Sequence, residues 1–514
     1  MFIELREEFS KKLYNAYLKM CNSDWNFYTF STDSNLEKMT KAQDDYSKIF
    51  QDKKTYEKFK NIDNSTLNKH EKKQLKYILK DFEEELNSGK ELKALRDKEN
   101  EIAQKYNSYV PIVFGKEVSR TEIRTILKNE KNPEIRKEAY YANLKGADLI
   151  AEDLKEFVKM RNDYAKSKGY KTFFEYKLKE DFEVDLDDLE TLLDNVYKES
   201  KDLIKKIILK QQKKLKNAFK TEKLKPYHYG FLTKLNPEKK VNNFIKTKEQ
   251  VVEITKKAYK NMGWDIDKLL SEKKLTFDLF PRSGKNTHGF CFDIDAGLDA
   301  RILANLTNNE TSIDTLNHEM GHCVYTLGIS RDLTFLDRST YPAMTEAIAM
   351  MMGDLDKREN ILQDIVPEKD LEKFKDYFIE QETCFIAHSQ LLINFEKQMY
   401  EKPEQDLRKL WHKLKVKYQF RDKREELDNG WASIPHFLSH PAYYQNYFRA
   451  TLIKAQIYNY LKSKLGNITE NNKTAEFLNK NLFNLGTSLE ENELIKKLTG
   501  KKLSEEDFIN SIIK

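Results

Sequence analysis

From Met1 to about residue 215, apolar side chains recur every three or four positions, as in Ile102, Tyr106 and Tyr109 or Leu189, Leu192, Leu193 and Val196, with acidic and basic residues between them. That period gathers the apolar set on one face, so this part of the chain reads as a stack of amphipathic helices. The stretch LKPYHYGFLTKLNPEKKVNN, 224–243, is richer in Pro, Gly and Asn than its flanks. It predicts a loop or a crossing between lobes, with His228 as a surface or loop histidine. Between 274 and 307 the pattern turns to alternating or continuous apolar runs broken by Pro281, Gly284, Gly289 and Gly297, which predicts a small sheet. Helical spacing resumes from 311 and continues, with Lys-rich faces, beyond about 460.

Composition strengthens the helical reading. Only 16 Gly and 10 Pro interrupt 514 residues, so the fold class is mainly α. Lys and Arg total 90 against 84 Asp and Glu, and the net charge of +6 is a small remainder of two interspersed populations. No basic cluster is laced with aromatics, so nucleic acid is not the expected partner. The aromatics of CNSDWNFYTFSTDSN and KSKGYKTFFEYKL read as helix-packing anchors. Cys21, Cys291, Cys323 and Cys384 form no CxxC pair, which predicts a reducing compartment without a disulfide framework. The charged, amphipathic N-terminus and the lack of any run near about 18 apolar residues predict a cytoplasmic protein that does not enter a membrane.

One short segment changes the picture. In TLNHEMGHCVYTLG, 315–328, His318 and His322 stand four apart with Glu319 beside the first. On a helix the two imidazoles are about 400° apart and project from one face, and Glu319 lies about 100° round from His318. A single metal can take both histidines while the glutamate reaches a water on it. The same residues could instead decorate a solvated helix face. Gly321, between the histidines, leaves room for another element to approach closely, and Gly328 is placed to cap the helix. A catalytic zinc site needs three protein ligands and one open position. Glu346, 24 residues beyond His322 in STYPAMTEAIAMMMGDL, is the candidate third ligand. It follows Pro342 at a helix start and precedes an apolar run that would bury it, and a buried carboxylate requires a partner.

NHEMGHCVY followed by MTEAIAMMMGDL resembles the gluzincin peptidases, in particular the angiotensin-converting-enzyme family and the thimet oligopeptidase and oligoendopeptidase family. WASIPHFLSHPAYYQNYF, 431–448, is similar to a block that in those families carries a histidine followed by two tyrosines three residues apart. The resemblance implies Zn2+, one per chain, on His318, His322 and Glu346, with Glu319 as general base. It further implies His436 and Tyr447 as donors to the oxyanion and Tyr444 as a substrate contact, with His440 competing for the histidine's place. THGFCFDIDAGLDARILANLT looks like the strand region lining the cleft, with His288 near the scissile peptide and an edge strand near 300–307 open to a substrate backbone. The implied fold is one catalytic domain over 1–514, of two helical lobes about a deep central channel. A small β-sheet would lie beside the HExxH helix, with the active-site region within 274–448. The implied partners are short oligopeptides, cut by a monomer.

Three positions depart from the pattern of the angiotensin-converting-enzyme family. Met350 stands where an aspartate would orient a zinc histidine, with Asp354 one further turn on, so support for the histidines must come from another residue. Ile434 replaces the lysine that would hold a substrate carboxylate, and Asn446 replaces an arginine. A GxMEN-type exopeptidase motif is missing. An oligoendopeptidase is therefore expected. The alternatives are a zinc carboxypeptidase or dipeptidyl carboxypeptidase, or a non-catalytic peptide-binding protein on the same scaffold.

Overall fold

The computed structural model describes residues 2–86, 89–235, 238–359 and 361–513. The chain divides into two compact units, each assembled from three segments. Unit 1 comprises Met1–Gly89, Glu238–Lys375 and Ala450–Asp507, and unit 2 comprises Lys90–Pro237, Asp376–Arg449 and Phe508–Lys514. Both are built mainly of helices. None of the described helices is long and apolar enough to cross a membrane.

Unit 1 opens with α1 (Phe2–Thr29). A short hairpin, β1 (Ile112–Val113) and β2 (Lys116–Glu117), precedes α2 (Pro133–Ser167) and α3 (Leu186–Phe219) in unit 2. Residues 224–243 form a 3-10 helix over Pro226–Leu235 and a short helix over Glu238–Asn242, and the boundary between units falls there. His228 is not at the surface. It is 5 % exposed, stacked against Phe219 at 4.6 Å, and its Nδ1 accepts from the Lys225 backbone N–H.

After α4 (Lys248–Met262), the expected sheet forms from β3 (Leu275–Asp278), β4 (Phe290–Asp295) and β5 (Asp299–Leu303). Its order is β3-β5-β4, with β5 parallel to β3 and antiparallel to β4. The expected edge strand near 300–307 is thus the centre of the sheet. Ala300 and Ile302 are fully buried and β5 is paired along both sides, so no edge is free there. The edges are β3 and β4. Tyr17 of α1 donates to the Asp293 carbonyl of β4, and Trp25 and Tyr28 pack on Phe292.

Next come α5 (Glu310–Gly328), α6 (Pro342–Gly353), the single turn α7 (Leu355–Arg358), and α8 (Glu368–Glu401). They are followed by α9 (Pro435–Ser439) and α10 (Tyr444–Leu465). The unit boundaries at 375 and 449 fall inside α8 and α10. The main core of unit 1 joins Ile302, Leu316, Met320, Val324, Met344, Ile348, Ile453 and Ile457. Unit 2 has an aromatic centre in which Phe395 of α8 meets Trp411, Trp431 and Phe437 at 5.2–5.6 Å.

Candidate metal centre

The helix α5 starts where Asn309 caps it, its side chain accepting from the Ser312 N–H at 2.8 Å. Ile313, Leu316, Met320 and Val324 then repeat at helical spacing and are at most 1 % exposed, which fixes which face turns to the core. His318 and His322 fall on a different face, one turn apart, with ring centroids 4.9 Å apart. Tyr259 of α4 donates to the Asn317 carbonyl at 2.7 Å and braces the helix from the side.

That histidine face meets α6. Pro342 occupies the first turn, and the buried run from Ala347 to Ala349 seats the helix while Thr345 and Glu346 interrupt the apolar set. Gly321 sets how close the helices lie, since a Cβ there would stand 2.8 Å from the Ala349 Cα. Gly353 makes a similar approach, where a Cβ would be 2.8 Å from an Asp314 carboxylate oxygen. Beyond it, Lys357 of α7 bridges Glu310 at 2.9 Å and Asp314 at 3.2 Å, tying the end of this segment back to the start of α5. Gly328 is not the cap expected of it. It is the last helical residue, and a Cβ there would lie 2.7 Å from the Phe483 Cβ, so close packing is its role.

The result is a convergence of His318, His322 and Glu346, each offering one ligand atom with all three atoms within 4.8 Å of one another. Among the described residues it is the one group of this kind. His318 Nε2 lies 3.7 Å from Glu346 Oε2, near the edge of about 3.4 Å that bonds of about 2.1 Å subtend in a tetrahedral zinc site. His322 Nδ1 is 2.8 Å from the Thr345 hydroxyl, which leaves its Nε2 for a metal. Two imidazoles and one carboxylate are the donor set of a catalytic zinc with a position open.

Electrostatics agree with a cation at this point. Burial pushes Glu319 up to about 8, helped by the Glu346 charge and opposed by the Cys291 backbone, and burial pushes Glu346 up to about 7. Burial lowers His322 to about 3, with His318 adding to the effect. It also lowers His318, against Asp314 and Asp354. Both imidazoles are therefore in the neutral, ligating form, and a divalent cation would offset the cost of two buried carboxylates. Glu319 is 9 % exposed, and the residue just before β4 lies against it, where a Cβ on Gly289 would be 3.4 Å from its Oε1. Cys291 of β4 and Cys323 of α5 bring their thiols to 2.9 Å beside it, a pairing their separation in sequence did not suggest. His288 is exposed in the bend just before β4.

His436, His440, Tyr444 and Tyr447 belong to unit 2 and gather there. His436 of α9 is half-buried, 4.6 Å from Tyr444 and 6.1 Å from Tyr447 by ring centroids, and the tyrosine rings are 5.6 Å apart. His440 is exposed at the margin, 5.8 Å from His436. Burial lowers the basicity of His436, and His440 adds to this. Arg161 of α2 holds the block by donating to the Phe437 and Leu438 carbonyls. Two members escaped the sequence reading: Tyr443, 5.3 Å from Tyr447, and His388 of α8, 6.2 Å from Tyr444. His388 sits in an ordinary helical stretch with no motif to mark it.

Compared with known families, the chain matches the model of peptidase family M3 over residues 126–513, well over half its length. It also matches that of angiotensin-converting enzyme over residues 2–229. No curated protein gives a match.

Proposed function

Since the chain belongs to peptidase family M3 and is a zinc metallopeptidase, we propose that it is an oligoendopeptidase, cutting inside short unstructured peptides with one zinc ion per chain. The observation that carries the reading is the meeting of His318, His322 and Glu346 with Glu319 buried beside them. Zinc held by His318, His322 and Glu346 would supply the positive charge that polarises a scissile carbonyl and acidifies a water. Glu319 takes a proton from that water on a carboxylate oxygen and delivers it to the departing amine.

His436 and Tyr447 are assigned as donors to the oxyanion and Tyr444 as a substrate contact. Their support is the family match and their own packing as one cluster, which favours His436 over the exposed His440. His288 is assigned to substrate contact on its position ahead of β4. The catalytic domain is taken as the whole of 1–514, with the active-site region within 274–448. Ile434, at the residue that caps α9, has no charge with which to hold a peptide carboxylate, and this favours internal cleavage over dipeptidyl carboxypeptidase action.

Cleavage of a mixed-length peptide set, with products mapped by mass spectrometry, tests the proposal. Internal cuts are expected, and they should vanish when zinc is chelated. Glu319→Gln should lower turnover by about 10²–10⁴-fold while zinc content stays at that of the wild type. Products that differ from substrate only by terminal losses would move the assignment to an exopeptidase. Wild-type turnover in Glu319→Gln would remove Glu319 as the base.

A further inference from the structure

Met350 stands one turn after Glu346, where an aspartate could have oriented a zinc histidine, and Asp354, whose charge acts on His318, is held by two cations. Its Oδ2 is 2.6 Å from Lys454 Nζ and 3.5 Å from Arg358 Nε, both largely buried partners. The contact to His322 comes from the opposite direction along α6. Thr345 Oγ1 lies 2.8 Å from His322 Nδ1, and Thr345 immediately precedes the third ligand.

A neutral imidazole carries one proton, and the nitrogen that holds it cannot ligate. A hydroxyl can donate to Nδ1 or accept from it. With the Nε2 lone pair on a metal, Nδ1 must carry the proton, so the hydroxyl must accept. The interaction then fixes both the tautomer and the rotation of the ring. Threonine suits this role because its branched Cβ restricts χ1 in a helix. The two helices that carry the pair come close where Gly321 meets Ala349, a Cβ on Gly321 standing 2.8 Å from the Ala349 Cα.

We propose that Thr345 is the positioning residue for the zinc ligand His322, its hydroxyl accepting from Nδ1–H so that one turn of α6 delivers both the third ligand and the support for the second. The proposal rests on the metal-site reading. The acceptor is a neutral hydroxyl, so the His322 proton stays on the ring and is not shared with a carboxylate.

The test is zinc binding by metal-free full-length protein, measured by competition with a chromophoric chelator. Thr345→Val keeps the shape and removes the acceptor, whereas Thr345→Ser keeps the acceptor. The valine variant should bind zinc about 10–100-fold more weakly, with the serine variant within about threefold of wild type. The thermal unfolding midpoints of the metal-free proteins should coincide, and a role limited to packing would not produce rescue by serine. In the cobalt-loaded proteins, the visible absorption of the valine variant should shift while that of serine should not. If the valine variant does not fold, Thr345→Ala set against Thr345→Ser gives the same comparison. Wild-type zinc affinity in the valine variant overturns the proposal and leaves the metal site standing. Failure of the wild type to bind zinc overturns the metal-site reading, and the proposal with it.

Discussion

A carboxyl group sealed among apolar side chains keeps its proton well above the ordinary range, and Glu396 of α8 is such a group. It is 0 % exposed, one oxygen accepts from the Ala442 N–H at 2.8 Å, and the other has no partner among the described side chains and backbone. Burial pushes it up to about 8, against the Ala442 hydrogen bond and the Arg161 charge. The unfolded chain releases this proton near pH 4.3 or so. Between the two values the native state holds more protons, so stability is fully present below the lower value and falls as pH rises through the higher one. From this group alone the wild type should lose about 1.4 kcal/mol per pH unit across that window. Glu396→Gln should not, as urea unfolding at pH 5 and pH 9 would show, and equal losses in the two proteins would refute the assignment. Residues differ in how far sequence reveals them. His318 and His322 were legible because a helix turns i and i+4 to one side, and Glu346 because a lone carboxylate interrupts an apolar run. Thr345 was not, since a hydroxyl beside a ligand has no periodic signature, and sequence did not show that His436 and His440 differ in burial.

Among elements, the crossing of α5 and α6 controls the metal centre. Gly321 holds no unusual backbone angle, and what it supplies is the missing side chain that lets the Ala349 backbone approach. Gly321→Ala should force the helices apart, costing about 1–3 kcal/mol of stability and weakening zinc binding along with it. Denaturant unfolding and a zinc titration on the same variant check this, and an unchanged zinc affinity would show that the crossing does not set the ligand geometry. Helices and the small sheet were legible from their periods. The place of β5 within the sheet was not, because a short apolar strand reads alike at an edge or at the centre until its partners are counted. Here the second partner, β3, lies before β4 in sequence and pairs in parallel. Gly328 misled for a related reason: glycine serves caps and close contacts equally, and Asn479 and Phe483, distant in sequence, distinguish them.

On the scale of the molecule, the core of unit 1 is completed late in the chain. Leu316, Met320, Met344 and Ile348 of the metal-bearing helices pack in one cluster with Ile453, Ile457, Leu494 and Ile495. Truncation after Arg449 should therefore leave a chain that neither unfolds cooperatively nor binds zinc in a 1:1 ratio, measured by calorimetry and metal analysis. Retention of both would show that the middle segment is self-sufficient. The order of these segments also sets a schedule. At about 5–20 residues per second, the ribosome releases α6 roughly 5–30 seconds before the last of the side chains that will cover it. During that interval the two histidines are a loose chelating pair on an unfinished surface, so capture of the ion at full affinity waits for the segment that carries Leu494 and Ile495.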